Sequence, residues 1–306
     1  MSRAPRKITP GKPVLALHLG ALGDFVLSWP ALARLAAAAP AGGLHVVGQP
    51  AWARLILPPE RVHWREAARF APLFLAEPHP ELDAWLAGCG LAVVFAHRPP
   101  PELLAHLRSA VSGPVWAVPT RPPEGEVRHA GEGQEAFLRE RGLTGAAPAW
   151  DFPGLGPLPP ARPVILPGSG GRAKRLPPEL AARLARRLHE VRGREAGPPM
   201  VVLGPAEDPA FRDELARALA GVPHQVLADP EFPELAARLA AARPYVGADS
   251  GPSHLAAALG APTLAGFAAT DPRIWAPRGP RARAVAVGEL AAALERLLAA
   301  EKSDEA

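Results

Sequence analysis

At 306 residues the chain is long enough for about two domains, and a composition of 48% apolar and 21% charged residues is that of a globular protein, which excludes collagen, disordered tails and membrane bundles. A formal net charge of +4 suits an anionic ligand or an anionic membrane surface without demanding nucleic acid. Cys89, the one cysteine, can form no internal disulfide, so a reducing compartment, the cytoplasm, is expected.

The chain opens on a basic arm, Arg3, Arg6, Lys7 and Lys12, followed by an apolar run from Val14 to Gly23. The pair imitates a signal peptide. His18 and two glycines interrupt the run, however, and it reads better as a buried strand over 14–19 that feeds a glycine loop. Asp24 and Arg34 break up any stretch of about 18 apolar residues, so no transmembrane span is expected. The basic arm suits peripheral contact with the inner face of an anionic cytoplasmic membrane. The loop itself, Gly20-Ala-Leu-Gly23-Asp24, leads into a helix predicted to run to about Ala38. Asp24 is there either a helix-start carboxylate favoured by the helix dipole or a carboxylate displayed at the carboxyl edge of a sheet. No G-x-G precedes it and no acidic residue follows about 20 positions later, so this is not a dinucleotide fingerprint.

Further strands are predicted near 44–47, 91–95 and 114–118. A proline-rich stretch without periodicity, Pro148 to Pro163, marks a linker. It divides the chain into an N-terminal domain over 1–150, a linker over 151–162 and a C-terminal domain over 163–306. In the second half strands and helices alternate plainly. Strand runs at Val164–Leu166, Met200–Leu203, His224–Leu227, Tyr245–Ala248 and Thr263–Phe267 are separated by helical patterns. Those patterns carry Leu176, Leu180, Leu184 and Leu188, then Phe211, Leu215 and Leu219, then Leu235 and Leu239, with a last helix from about Ser253. The alternation predicts an α/β fold of two doubly wound, Rossmann-like domains facing across a cleft. The strand ends near Gly20, Pro167, Leu203 and Ala248 are expected to open into it.

Three segments of the second half carry chemistry. In Pro167-Gly168-Ser169-Gly170-Gly171-Arg-Ala-Lys174-Arg175, the glycines suit an anion nest, the Ser169 hydroxyl adds a donor, and Lys174 is one of only four lysines in an arginine-rich chain. A compact ammonium at that point suits phosphate. A solvated surface charge is the plainer reading of the same lysine, and the spacing is not that of a Walker A loop. Glu207 lies just past a strand end, where a carboxylate can hold a ribose diol or stand on the surface. In Asp249-Ser250-Gly251-Pro252-Ser253-His254, Pro252 suits the first helical position, which makes Gly251 the expected N-cap and leaves the amides of Ser253 and His254 pointing at an anion. Asp249 is placed to accept from sugar hydroxyls. His254 is a candidate ligand or an internally satisfied histidine. The ten histidines show no metal-ligand spacing, and Ser250 with His254 lacks a nucleophile elbow.

Together these residues resemble glycosyltransferase family 9, the lipopolysaccharide heptosyltransferase family. The resemblance rests on Gly23-Asp24 with Val26, Leu27 and Pro30; on Pro167-Gly168-Ser169 with Lys174-Arg-Leu-Pro177; on Gly204 with Glu207; on Asp249-Ser250-Gly251 with His254; and on Thr270-Asp-Pro272 and Trp275-Ala-Pro277. Leu176 departs from it, since tryptophan is commoner there, and residues 40–150 share little of it. It implies a GT-B architecture and an inverting, metal-independent transfer from a nucleotide-sugar, ADP-heptose being one candidate, to a cell-envelope glycan or glycolipid. Asp24 would be the general base. Ser169, Gly170, Lys174, Ser250 and Gly251 would hold the diphosphate, Glu207 the ribose and Asp249 the donor sugar, while His254 would brace the loop or approach the diphosphate. A non-catalytic nucleotide-sugar module and a nucleotide-sugar epimerase are the competing expectations; a dehydrogenase is disfavoured.

Overall fold

The computed structural model describes residues 8–9, 11–39, 43–75 and 78–304. Arg3, Arg6 and Lys7 of the basic arm lie outside the described residues. Two compact units divide between Gly154 and Leu155.

In the first unit, strands β1 (Val14–His18), β2 (Leu44–Gly48), β3 (Val62–Trp64), β4 (Leu91–Phe95) and β5 (Val115–Val118) form one sheet in the order 3-2-1-4-5. Every pairing is parallel. All five residues of β1 and all five of β4 are buried, as apolar strands covered on both faces must be. Leu15, Leu17 and Val94 pack there against Leu103 and Leu107 of the helix Pro101–Ala110.

The second unit holds β6 (Arg162–Leu166), β7 (Met200–Leu203), β8 (Gln225–Ala228), β9 (Ala242–Ala248), β10 (Thr263–Phe267) and β11 (Ala282–Ala286), in the order 11-10-9-6-7-8. It too is parallel throughout. Counted within the unit this is 3-2-1-4-5-6 read from the other edge, the Rossmann order. The helix Pro178–Ala196 buries Leu180, Leu184 and Leu188 against it. At ~1.5–3 kcal/mol per fully buried leucine, that stripe outweighs the ~1 kcal/mol that a mid-helix glycine such as Gly193 costs.

The structure departs from the sequence expectations locally. The first helix is two, Leu22–Leu27 and Trp29–Ala38, broken at Ser28. Pro30 supplies the reason, because it lacks an N–H and its ring collides with the carbonyl four residues back in a continuous helix. Leu176 is not helical; its N–H donates to the Pro167 carbonyl at 2.9 Å and the helix starts at Pro178. Strands β3 and β11 are additional to those predicted.

Candidate active site

Asp24 in the first unit, and Ser169, Lys174, Asp249 and His254 in the second, follow the strands where the order reverses, between β1 and β4 and between β6 and β9, while Glu207 follows the neighbouring β7. That switch point, at the carboxyl ends, is where open α/β sheets bind ligands.

In the first unit, β1 ends on His18, which is 2% exposed. Its ring packs edge-on to Phe25 and stacks on Phe95. The Gly20 N–H donates to His18 Nδ1 at 3.3 Å, which puts the proton of the neutral ring on Nε2. Nε2–H donates to Ser28 Oγ at 3.2 Å, and the Ser28 hydroxyl donates to the Asp24 backbone carbonyl at 2.8 Å. Burial pushes the His18 pKa down to about 3, so this relay is uncharged at neutral pH. The Asp24 carboxylate accepts the Ala21 N–H at 3.3 Å, reaching back to the start of its own helix. A carboxylate offers about four acceptor sites, so capping and proton acceptance are compatible. Gly20 must be glycine for closeness, since an added Cβ would stand 2.7 Å from Asp24 Cβ. His18 and Ser28 were not among the sequence candidates. The histidine that breaks an apolar strand was the visible signal.

The second site is charged. Asp249, 3% exposed at the end of β9, is its hub. Lys174 Nζ lies 2.9 Å from Asp249 Oδ2, and the Thr270 hydroxyl donates to the same oxygen. His254 Nε2 is 4.0 Å from Oδ1, a distance that suits bracing. The loop after β6 is tied to the loop after β9 because the Ser169 hydroxyl donates to the Asp249 carbonyl at 2.9 Å. Ser169 therefore braces the two loops with its side chain, while its backbone stays within the glycine loop expected to face phosphate. Arg175, unanticipated, links the same loop to its neighbour: it donates to the Ser169 carbonyl, to Asp208 Oδ2 at 2.8 Å and to the Ala206 carbonyl. Its guanidinium holds the Asp208 carboxyl below the usual carboxylate range.

Glu207 is buried, not on the surface. Its Oε2 accepts the Gly204 N–H at 2.5 Å, and its other oxygen lies so close to Gly168 that an added Cβ there would sit 1.7 Å away. Burial raises its pKa, which backbone donation and the nearby Arg175 and Arg212 only partly offset. The glycine the loop cannot spare is thus Gly168. At Gly170, an exposed position, an added Cβ meets nothing within 4 Å among the described residues.

The helix over Gly251–Ala258 corrects the expected cap. Ser250, not Gly251, is the N-cap, and its carbonyl accepts the N–H groups of Ser253 at 3.1 Å and His254 at 3.4 Å. Pro252 stands at the second helical position rather than the first, which moves the cap back by one and turns those two amides inward. The Ser253 hydroxyl donates to the Ala248 carbonyl at 2.5 Å and meets the buried Tyr245 hydroxyl at 2.9 Å. Among the described residues, no group of three His, Cys, Asp or Glu could hold a metal ion. No helix there is long and apolar enough to cross a membrane.

Two parallel sheets in Rossmann order, each carrying its polar loops at the switch point, define the GT-B class of fold. The chain belongs to glycosyltransferase family 9 (heptosyltransferase), whose family model matches residues 149–301, half of its length. It is 41% identical over 80 residues to lipopolysaccharide heptosyltransferase 3 of Escherichia coli K12, a match that covers 26% of this chain and 23% of that protein. Among solved structures it is similar to a family 9 glycosyltransferase from Veillonella parvula, with a TM-score of 0.71 at 16% identity over 95% of this chain and 98% of that one. It is also similar to the E. coli ADP-heptose lipopolysaccharide heptosyltransferase II, with a TM-score of 0.68 at 20% identity over 95% and 99%. The E. coli heptosyltransferase WaaC, solved with ADP, gives a TM-score of 0.65 at 18% identity over 93% and 99%. At these identities the structural likeness is one of fold.

Proposed function

We propose that this chain is an inverting, metal-independent glycosyltransferase that moves a heptose-like sugar from a nucleotide-diphosphate donor to a cell-envelope glycan or glycolipid. The observation that carries the reading is the Lys174–Asp249 pair at 2.9 Å, set at the switch point of a Rossmann sheet in a family 9 chain. A buried carboxylate positions the ammonium, whose remaining donors suit the oxygens of a diphosphate, while Thr270 and Asp249 suit the hydroxyls of the sugar. Glu207, against Gly168 and Gly204, suits a ribose diol. ADP is the nucleotide favoured, because WaaC was solved both with ADP and with an ADP-2-deoxy-2-fluoro heptose.

The chemistry follows from these groups. Asp24 takes the proton of the acceptor hydroxyl as its oxygen forms a bond to the anomeric carbon. The bond from that carbon to the diphosphate oxygen breaks on the opposite face, and its electron pair leaves with the nucleoside diphosphate. Lys174 and the backbone amides of the Gly168–Gly171 loop offset the charge that develops there. The proton passes from Asp24 to solvent. We place the reaction in the cytoplasm, at the inner face of the cytoplasmic membrane, where the basic arm would meet anionic lipid.

A module that binds a nucleotide-sugar without transferring it has one observation in its favour, the capping contact that Asp24 makes with Ala21. One experiment separates the two readings. The purified chain is heated with ADP-, GDP- and UDP-sugars, and nucleoside diphosphate release is followed in the presence of lipid extract. A true donor at 100 times its Kd adds ~2.7 kcal/mol of stability and yields diphosphate only when acceptor is present. Stabilisation without release supports the binding module, and absence of both overturns the donor assignment.

A further inference from the structure

The two loops that carry Lys174 and Glu207 are each held internally. The loop after β6 is closed by the Leu176 N–H on the Pro167 carbonyl and fastened to Asp249 through the Ser169 hydroxyl and Lys174. The loop after β7 is closed by Arg212, whose guanidinium donates to the Gly204 carbonyl at 2.7 Å and the Glu207 carbonyl at 3.2 Å and meets Asp229 at 2.7 Å. Between the two loops the sheet contributes little, because the β6–β7 register runs only through Val164 with Met200 and Ile165 with Val201.

Arg175 supplies the tie between them. Its side chain is 8% exposed, and its three nitrogens donate to three different residues: Nε to the Ser169 carbonyl at 3.3 Å, Nη1 to Asp208 Oδ2 at 2.8 Å and Nη2 to the Ala206 carbonyl at 2.7 Å. The first acceptor belongs to the glycine loop that leads to Lys174, and the other two bracket Glu207 in the chain. The guanidinium carbon stands 4.8 Å from the centre of the Phe211 ring, which supports it from one side. A planar fork satisfies separated acceptors that one ammonium cannot reach together. With every nitrogen engaged on protein, Arg175 is placed to hold loops rather than to touch a ligand. Arg172, by contrast, is 82% exposed and approaches the same Asp208 oxygen at 3.4 Å, where solvent screens it.

We propose that Arg175 is a positioning residue that fixes the spacing between the diphosphate loop and the ribose loop, so that the two halves of a nucleoside diphosphate are bound as one ligand. This role rests on the donor reading above and goes beyond it by naming what makes the two subsites one. A molecule that touches both loops gains from their fixed spacing, since they need not be ordered against each other at the moment of binding. A fragment that touches one loop gains nothing from it, because each loop keeps its own internal ties.

The test compares ADP with its two parts, adenosine and inorganic pyrophosphate, on the full chain, with ADP titrated calorimetrically and the parts followed by their displacement of ADP. Arg175→Gln removes the fork. Asp208→Asn is the milder variant. Its amide oxygen can still cap the helix Pro209–Ala218 by accepting the Phe211 N–H, as Asp208 Oδ1 does at 3.1 Å, but its NH2 group then faces the Arg175 donors. Each variant should bind ADP at least ~5-fold more weakly and bind adenosine and pyrophosphate within ~2-fold of wild type. Arg175→Lys keeps the charge and loses the fork, so it should behave like Arg175→Gln; full recovery in it would assign the effect to charge and overturn the positioning role. Unchanged ADP affinity in Arg175→Gln and Asp208→Asn overturns that role and leaves the donor reading standing. Equal weakening of all three probes overturns it too, because Arg175 would then support the loops themselves rather than their spacing. Should Arg175→Gln fail to fold, Asp208→Asn decides alone. A wild-type chain that binds neither ADP nor pyrophosphate removes the donor reading and this role with it.

Discussion

The two units share one strand order and put opposite chemistry at the same place on it. After β1 the first unit holds a neutral relay, His18 to Ser28 to the Asp24 backbone, beneath a half-buried carboxylate. After β6 and β9 the second holds a cation and a buried anion in contact, Lys174 and Asp249, with Thr270 and Ser169 tying the loops. The scaffold is common and the loops decide the chemistry. An uncharged support beneath Asp24 suits the proton-accepting role proposed for it, whereas a fixed ion pair is suited to holding charge. On the proposed function, the contrast matches proton transfer at one sheet and diphosphate binding at the other.

Several changes would break or sharpen that contrast. The largest effect is expected for Asp24→Asn, which keeps the shape and the capping acceptor but cannot take a proton; turnover should fall by ~10²–10⁴ in a transfer assay. A variant that turns over like wild type would reduce Asp24 to a helix cap. Next comes pH. The folded His18 pKa of about 3 lies below the ordinary 6.5, so the unfolded chain binds more protons between those values. Stability from this group is complete above pH 6.5 and falls by ~1.4 kcal/mol per pH unit as pH drops toward 3. Thermal melts of His18→Gln should show a shallower acid loss than wild type; parallel curves would contradict the buried neutral ring. Smaller still is Gly168→Ala, whose Cβ must displace Glu207 at a cost of ~1–3 kcal/mol and with loss of nucleoside affinity. Gly170→Ala, in open space, should leave both unchanged.

What could be read from the sequence tracks how local each feature is. Strands such as Leu91–Phe95, apolar throughout, and Thr263–Phe267, apolar after its first residue, follow Gly90 and Pro262, so composition and punctuation locate them to the residue. The β3 and β11 edges are not located this way, because three residues carry no period and β11 sets Arg283 among small residues on a half-exposed strand. Lys174 and Asp249 stood out by rarity and by position at strand ends, yet their contact joins residues 75 positions apart, and neither it nor the Thr270 hydroxyl on Asp249 has a local signature. Caps failed for a different reason. One residue decides whether Ser253 and His254 point outward, and sequence rules leave helix ends uncertain by that much.

The division of labour between the two sheets is tested most directly by titrating the cognate nucleoside diphosphate calorimetrically into wild type, Asp24→Asn, Lys174→Ala and Lys174→Arg. Removing the ammonium costs a charge-assisted contact of ~1.5–3 kcal/mol and leaves the buried Asp249 facing the anion, so Lys174→Ala should bind at least ~10-fold more weakly. Lys174→Arg should recover only part of that loss, because a planar fork cannot reproduce a point charge. Asp24→Asn should bind like wild type. Equal affinity in all four proteins would make Lys174 a surface charge, and a loss confined to Asp24→Asn would place the diphosphate on the wrong sheet and contradict the account.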